Sequence, residues 1–205
     1  MQKVLDLLKN KKLLIFDFDG TLAETSPLHE RAFKEVVMKH NIAFSYADIA
    51  GLSTRQALKL IFQANNLSIS STILTELVSH KQQIAQTLVT NFLEPIDGLN
   101  IFLEWAANEY QMCIVSSGSS GSIHNALHKL NYKKIFSPII CAEDVVETKP
   151  SPEGFLKALD LCGVSADEAL IFEDSKSGFE SAHAANISFV DVHSFEWTDF
   201  DVNTI

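Results

Sequence analysis

The chain has 205 residues, 46% of them hydrophobic, and its formal net charge at pH 7 is −10. This length and this apolar content predict one domain with a substantial core, or one domain that carries an insertion. Nucleic-acid binding usually requires a basic face, and the sequence shows none, so we expect no nucleic-acid partner. The negative net charge also suits a site that binds a cation.

The N-terminal segment MQKVLDLLKNKK predicts a short amphipathic helix. It has neither the long apolar run nor the small-residue cleavage site of a signal peptide, and no segment is long enough to span a membrane. Cys113, Cys141 and Cys162 lie in apolar stretches, which predicts buried, reduced thiols. We therefore expect a cytoplasmic protein with no membrane partner, and a monomer as the simplest oligomeric state.

Five short apolar runs predict strands that are buried on both faces. They are KLLIFDF (12–18), QMCIVSS (111–117), SPIICAE (137–143), ALIFED (169–174) and ISFVDV (187–192). Helix-like segments separate the last four runs: SIHNALHKLN, SPEGFLKALDLCG and SGFESAHAAN. The alternation of strands and helices predicts an α/β fold with right-handed crossovers and a parallel sheet.

In the long segment between the first and second predicted strands, the apolar residues recur at helical spacing. Its predicted helices are HERAFKEVVMKHN (29–41), TRQALKLIFQANN (54–66) and STILTELVSHKQQIAQTLV (71–89). Ser53 or Thr54 is expected to cap the second helix, and Ser70 or Ser71 the third. We predict a helical cap over residues 22–92, inserted into a core formed by residues 1–21 and 93–205.

Polar side chains follow the predicted strands where each strand ends. In chain order they are Asp17, Asp19, Ser116, Lys149, Glu173 and Asp174. Ligands of open parallel sheets bind at the carboxyl ends of the strands, so we expect these groups to converge. The segment SSGSSGS (116–122) lies between a strand and a helix, where hydroxyls and backbone N–H groups can bind phosphate.

Clustered carboxylates repel one another, and a hard divalent cation such as Mg²⁺ relieves that repulsion. Asp17, at the strand end, can attack a phosphoryl group to form an aspartyl-phosphate. Asp19 can protonate the leaving oxygen and then activate water, and Gly20 permits a tight turn. Ser116 and Lys149 can hold the phosphoryl oxygens.

Together, DFDGT, the strand-end Ser116, TKPSP and FEDSKSG resemble the four motifs of the haloacid dehalogenase superfamily, in order. The resemblance implies a Rossmann-like core with a helical cap, Asp17 as nucleophile and Asp19 as general acid/base. It implies that Ser116 and Lys149 bind phosphate, and that Mg²⁺ binds Asp17, the Asp19 carbonyl and Asp174, with Glu173 assisting. Further substrate or phosphate contacts are expected from Gly20, Thr21, His29, Thr54, Arg55, Ser117 and Gly118.

The segment ETSPLHERAF resembles the β-phosphoglucomutase-like branch, where His29 matches a histidine near the hinge. That branch includes sugar-phosphate phosphatases, phosphoglycolate phosphatases and a mutase. Asp19 argues against the haloalkanoic acid dehalogenases, which do not use the second aspartate as acid/base. In the mutase an arginine directly follows the Gly-x-Ser of the cap. In this sequence Thr54 occupies that position and Arg55 comes one residue later, which favours a phosphatase.

We therefore expect a Mg²⁺-dependent phosphatase that hydrolyses a small phosphomonoester, a sugar phosphate or similar metabolite, through an aspartyl-phosphate. A phosphomutase and a catalytically silent regulatory or binding protein on the same fold are the alternatives. For Lys81, in the third cap helix, substrate contact and simple exposure both stay open. For Lys176, in the fourth motif, an ion pair near the metal and a solvent-facing side chain both stay open.

Overall fold

A parallel sheet forms the centre of the protein, in a computed structural model that describes residues 1–40 and 42–202. Asn41, which ends the predicted helix 29–41, and residues 203–205 of the predicted core lie outside the described residues. The strands are β1 (Leu13–Phe16), β2 (Gln111–Val115), β3 (Ile139–Ile140), β4 (Ala169–Glu173) and β5 (Ser188–Asp191). Their order across the sheet is β3-β2-β1-β4-β5, and every pairing is parallel. The predicted parallel α/β fold is confirmed.

The central strand β1 is buried on both faces because helices cover both sides of the sheet. Successive side chains of a strand point to opposite faces. Leu14 and Phe16 accordingly join one hydrophobic cluster, whereas Leu13 and Ile15 join the other. The near-continuous apolar sequence of β1 follows from this two-sided burial.

The described α-helices lie before and between the strands. They are α1 (Gln2–Leu8), α2 (Ser26–Val37), α3 (Thr54–Ala64), α4 (Ser71–Phe92), α5 (Leu99–Glu109), α6 (Ser120–Lys129), α7 (Glu153–Cys162) and α8 (Lys176–Ala184). Strand β3 is shorter than the predicted run 137–143, since Pro138 lacks a backbone N–H and residues 142–144 form a 3₁₀ turn.

The helices α2, α3 and α4 form the insertion between β1 and β2, and they share a hydrophobic cluster of their own. Ser53 caps α3 in a capping box with Gln56, and Ser70 caps α4, so both predicted cap positions are confirmed. Val89, near the end of α4, belongs to the cluster of the sheet core. The insertion therefore packs against the core at this end. Residues 22 and 92 remain the predicted limits of the helical cap.

Within the described ranges, no helix has both the length and the apolar character needed to cross a bilayer. The cysteines are free thiols, as expected, although Cys162 is only half-buried whereas Cys113 and Cys141 are buried.

Candidate active site

A buried lysine joins two carboxylates at the carboxyl ends of the central strands. Asp17 directly follows β1, and its backbone N–H donates to the Phe172 carbonyl of β4 at 2.9 Å. Lys149 Nζ donates to Asp17 Oδ1 at 2.5 Å and to Glu173 Oε2 at 2.6 Å. Asp17, Lys149 and Glu173 are each at most 5% exposed. The sheet thus brings together three residues that are far apart in sequence.

The second oxygen of Glu173 organises the loop that follows β4. Its Oε1 accepts hydrogen bonds from the Ser175 N–H at 3.2 Å and from Ser175 Oγ at 2.7 Å. At Gly178, a Cβ would lie 2.0 Å from Glu173 Cδ, so this approach requires glycine. Glu173 is consequently held from both sides, and its position fits the assisting role that the resemblance implies.

Asp17, Glu173 and Asp174 form an acidic cluster in which one oxygen of each lies within 4.8 Å of the others. Burial, and next the charge of Glu173, raise the pKa of Asp17 well above its usual range and that of Asp174 to about 8. Burial acts to lower the pKa of Lys149, but the Asp17 and Glu173 carboxylates outweigh it and raise that pKa. One lysine against three carboxylates leaves an excess of negative charge, which a divalent cation would compensate. This all-oxygen donor set fits Mg²⁺.

Gly20 lies against the Asp174 carboxylate. Its φ is 87°, and a Cβ there would lie 2.1 Å from Asp174 Oδ2. Any other residue would strain the backbone and displace that carboxylate. Gly20 therefore serves the site through its conformation and its lack of a side chain.

A second group of polar residues connects Asp19 to the inserted helices. Asp19 Oδ1 accepts a hydrogen bond from Thr25 Oγ1 at 2.6 Å and lies 3.4 Å from His29 Nε2. The other ring nitrogen, His29 Nδ1, is 2.7 Å from Lys81 Nζ. Burial, and next the Lys81 charge, lower the pKa of His29 to about 4, so the ring is neutral. Because a lysine ammonium can only donate, Nδ1 accepts and the ring proton lies on Nε2, facing Asp19.

Lys81 is buried, with only 3% of its surface exposed, so simple exposure is not its role. Its Nζ lies 4.5 Å from the centroid of the Phe33 ring. Burial lowers its pKa to about 8. Lys176, by contrast, has an 89% exposed side chain 3.8 Å from Glu180, and it faces solvent on α8.

The substitution Lys81→Met should stabilise the protein at pH 7 by about 3 kcal/mol, because it removes a charge that burial disfavours. Between pH 8 and 10.5 the folded protein binds fewer protons at Lys81 than the unfolded chain does, so wild-type stability rises with pH across this window. The gain from the substitution should shrink across the same window. Urea unfolding at several pH values measures this, with the exposed Lys133→Met as control. A gain that is the same at pH 7 and pH 10.5 would contradict the account.

The loop after β2 carries the hydroxyls of Ser116 and Ser117. Ser116 Oγ accepts the Gly118 N–H at 2.9 Å, which leaves its own proton free to donate. The hydroxyls of Ser117 and Thr21 are buried without a hydrogen-bond partner among residues 1–40 and 42–202. Ser117 lines a cavity of about 40 Å³ beside Asp17, whereas Thr21 is not part of that lining.

That cavity brings together residues of the core and of the insertion. Its lining includes the predicted site residues Asp17, Asp19, His29, Thr54, Ser117 and Gly118, and also Lys81. Arg55 is not among them, because its exposed guanidinium donates from Nη2 to Thr75 Oγ1 at 3.1 Å on α4. It lines instead a neighbouring cleft of about 680 Å³.

Sequence reasoning did not single out Tyr46 and Gln56, which line the cavity and the cleft. Tyr46 lines the small cavity, and burial raises the pKa of its phenol; no motif singles it out. Gln56 lines the large cleft. The sequence signal for it is the S-x-x-Q spacing from Ser53, which is typical of a capping box.

A parallel sheet with a buried Asp–Lys–Glu arrangement at its carboxyl edge, next to an inserted set of helices, fits the hydrolase family that the sequence motifs resemble. The family profile described as haloacid dehalogenase-like hydrolase matches residues 14–192. The chain belongs to this family, and it is an enzyme of that hydrolase class.

Known relatives agree with this assignment. Over 183 residues the chain is 27% identical to the fructose-1-phosphate phosphatase YqaB of Escherichia coli (strain K12), covering 87% of this chain and 95% of that protein. It is 26% identical to a phosphorylated carbohydrates phosphatase of Thermotoga maritima, covering 85% and 81%. A solved β-phosphoglucomutase from Clostridium difficile has the same fold, with a TM-score of 0.81 at 20% identity and 95% coverage of both chains.

Proposed function

We propose that the protein is a Mg²⁺-dependent phosphatase that hydrolyses a small phosphomonoester, of the sugar-phosphate class, through an aspartyl-phosphate on Asp17. The observation that carries the proposal is the acidic cluster of Asp17, Glu173 and Asp174 with Lys149 2.5 Å from Asp17 Oδ1. The names of the two phosphatase relatives support the substrate class.

In the first step Asp17 attacks phosphorus and the bond to the leaving oxygen breaks. Lys149 Nζ, which contacts Asp17 Oδ1, and the Ser116 hydroxyl would donate to the phosphoryl oxygens as charge redistributes. Asp17, Asp174 and the Asp19 carbonyl would hold the cation, which, when bound, neutralises charge on the transferred group.

Asp19 supplies the proton in this mechanism. Its contacts with Thr25 and His29 both fall on Oδ1, among the residues that the structure describes, which leaves Oδ2 to carry the transferred proton. After protonating the leaving oxygen, the resulting carboxylate takes a proton from the water that attacks the aspartyl-phosphate. The neutral His29 holds this carboxylate in position.

The inserted helices restrict access of water to the site. Tyr46, Gly51 and Lys81 of the insertion line the 40 Å³ cavity together with Asp17. At Gly51 a Cβ would lie 2.2 Å from Ser175 Oγ, so the insertion approaches the core closely there. Substrate entry and product release then require the insertion to move away, and we place the hinges near residues 22–26 and 90–95.

Phosphate release from a panel of phosphomonoesters, measured with Mg²⁺ and with a chelator, tests the proposal. Sugar phosphates should be hydrolysed with Mg²⁺ and not with the chelator. Mg²⁺ should also stabilise the wild type by about 2–3 kcal/mol at a concentration about 100-fold above its Kd. Asp174→Asn should lose both effects, whereas the exposed Asp167→Asn should keep them.

The outcomes separate the alternatives. Hydrolysis that persists in the chelator would contradict the metal-dependent mechanism. Turnover that appears only with a bisphosphate activator would identify a phosphomutase. Metal-dependent stabilisation without any turnover would favour the catalytically silent protein.

A further inference from the structure

The cleft of about 680 Å³ continues from the small cavity beside Asp17, because Thr54 and Ser117 line both. Small-molecule sites commonly measure about 300–1,000 Å³, so the cleft has the size of a ligand site. It lies between α3 and the loop that precedes α7. A phosphoryl group at Asp17 would place its leaving group toward this cleft.

About half of the residues that line the cleft have neutral polar side chains. They include Ser53, Gln56, Gln82, Ser119, Thr148 and Ser151. The charged groups Arg55, Lys59 and Glu147 are of both signs, and Arg55 already donates to Thr75. Hydroxyl and amide groups form hydrogen bonds with the hydroxyls of a polyol. A leaving group with a carboxylate would instead be bound best by clustered positive charges.

Gln56 has a carboxamide whose orientation the structure determines. Its Oε1 accepts from the Ser53 N–H at 3.1 Å, from Ser53 Oγ at 2.7 Å and from Thr148 Oγ1 at 2.8 Å. A backbone N–H can only donate, so the atom facing Ser53 must be the oxygen. Within the described chain no hydrogen bond starts from Gln56 Nε2, and the half-buried side chain lines the cleft.

The same carboxamide connects the insertion to the catalytic core. Thr148 immediately precedes Lys149, so the bond between Gln56 and Thr148 ties the start of α3 to the lysine that contacts Asp17. Ser177 Oγ makes a second connection, donating to the Ala50 carbonyl at 3.3 Å. Residues 50–56 therefore contact the core beside two of its catalytic loops.

We propose that Gln56 determines leaving-group specificity: its free Nε2–H group donates to a hydroxyl of a neutral, polyhydroxylated leaving group, while its Oε1 holds Thr148 in the closed state. This inference rests on the proposed phosphatase function. The Gln56 side chain thus binds the leaving group through Nε2 and positions the loop of Lys149 through Oε1. The class of substrate that fits is a sugar or sugar-alcohol phosphate rather than a small carboxylate such as phosphoglycolate.

The variant Gln56→Glu tests the inference, because it keeps oxygen acceptors for Ser53 and Thr148 but removes both N–H donors. We expect the ratio of kcat/KM for a hexose phosphate to that for p-nitrophenyl phosphate to fall at least tenfold, mainly through KM. Thr148→Val should act differently, lowering kcat for both substrates because it removes only the connection to the core. Gln63→Glu makes the same change at an exposed site of α3 and should leave the ratio as in the wild type.

Two results would overturn the inference. One is an unchanged ratio in Gln56→Glu; the other is a wild-type enzyme that prefers phosphoglycolate to every sugar phosphate. If the wild type hydrolyses no phosphomonoester at all, the proposed function itself fails. Circular dichroism of each variant separates these results from unfolding.

Discussion

Replacing Asp17 with asparagine should reduce phosphate release by about 10⁴-fold or more, because the carboxamide cannot form the acyl phosphate. The fold should survive the change. Asparagine has the same shape, it can accept from Lys149, and the cluster with Glu173 and Asp174 carries one negative charge less. We expect the midpoint of thermal unfolding to stay constant or to rise.

The measurement combines steady-state phosphate release with acid-quench mass spectrometry of the protein. Wild-type protein mixed with substrate should carry one additional phosphoryl group, and Asp17→Asn should carry none. Asp160→Asn, at an exposed position of α7, should behave like the wild type. A phosphoryl group that still forms in Asp17→Asn would assign the nucleophile to another residue.

The substitution Lys149→Met should destabilise the protein by about 3–5 kcal/mol and abolish turnover. It leaves the carboxylates of Asp17 and Glu173 buried without the cation that contacts them at 2.5 and 2.6 Å. An uncompensated buried charge costs far more than an exposed ion pair contributes. Urea unfolding in the presence of a chelator gives the free energy directly.

Two further variants give the control for Lys149. Lys176→Met changes a lysine with an 89% exposed side chain and should alter stability by no more than about 0.5 kcal/mol. The double variant Lys149→Met with Glu173→Gln should recover part of the lost stability, because it removes one of the two unpaired charges. Equal stability of wild type and Lys149→Met would mean that the lysine serves only catalysis.

Several features of the site follow from the sequence because they depend on local order. The apolar runs predict buried strands, and the carboxyl ends of parallel strands share one edge of a sheet. Asp17, Lys149 and Glu173 were expected there for that reason, and the structure brings their side chains into contact. Ser53 or Thr54, and Ser70 or Ser71, were expected as helix caps, since capping involves residues only three positions apart. The structure has Ser53 and Ser70 in these positions.

Helix packing decided what the sequence left open for the lysines and for Arg55. Lys81 and Lys176 have the same chemistry, yet one is buried against His29 and Phe33 while the other faces solvent. Periodicity gives the apolar face of a helix, but the rotation and neighbours of that helix depend on contacts far away in the chain. Arg55 likewise turns to Thr75 because α3 lies beside α4.

The class of fold and the residues at the strand ends follow from the sequence alone, and these residues led us to expect phosphoryl chemistry. Which atoms contact one another depends on the tertiary structure. Thr148 is 92 residues from Gln56 and Lys81 is 52 residues from His29, so no local pattern reveals either contact. These pairs form because the inserted helices close over the carboxyl edge of the sheet, where the packing of distant segments rather than sequence spacing sets each distance.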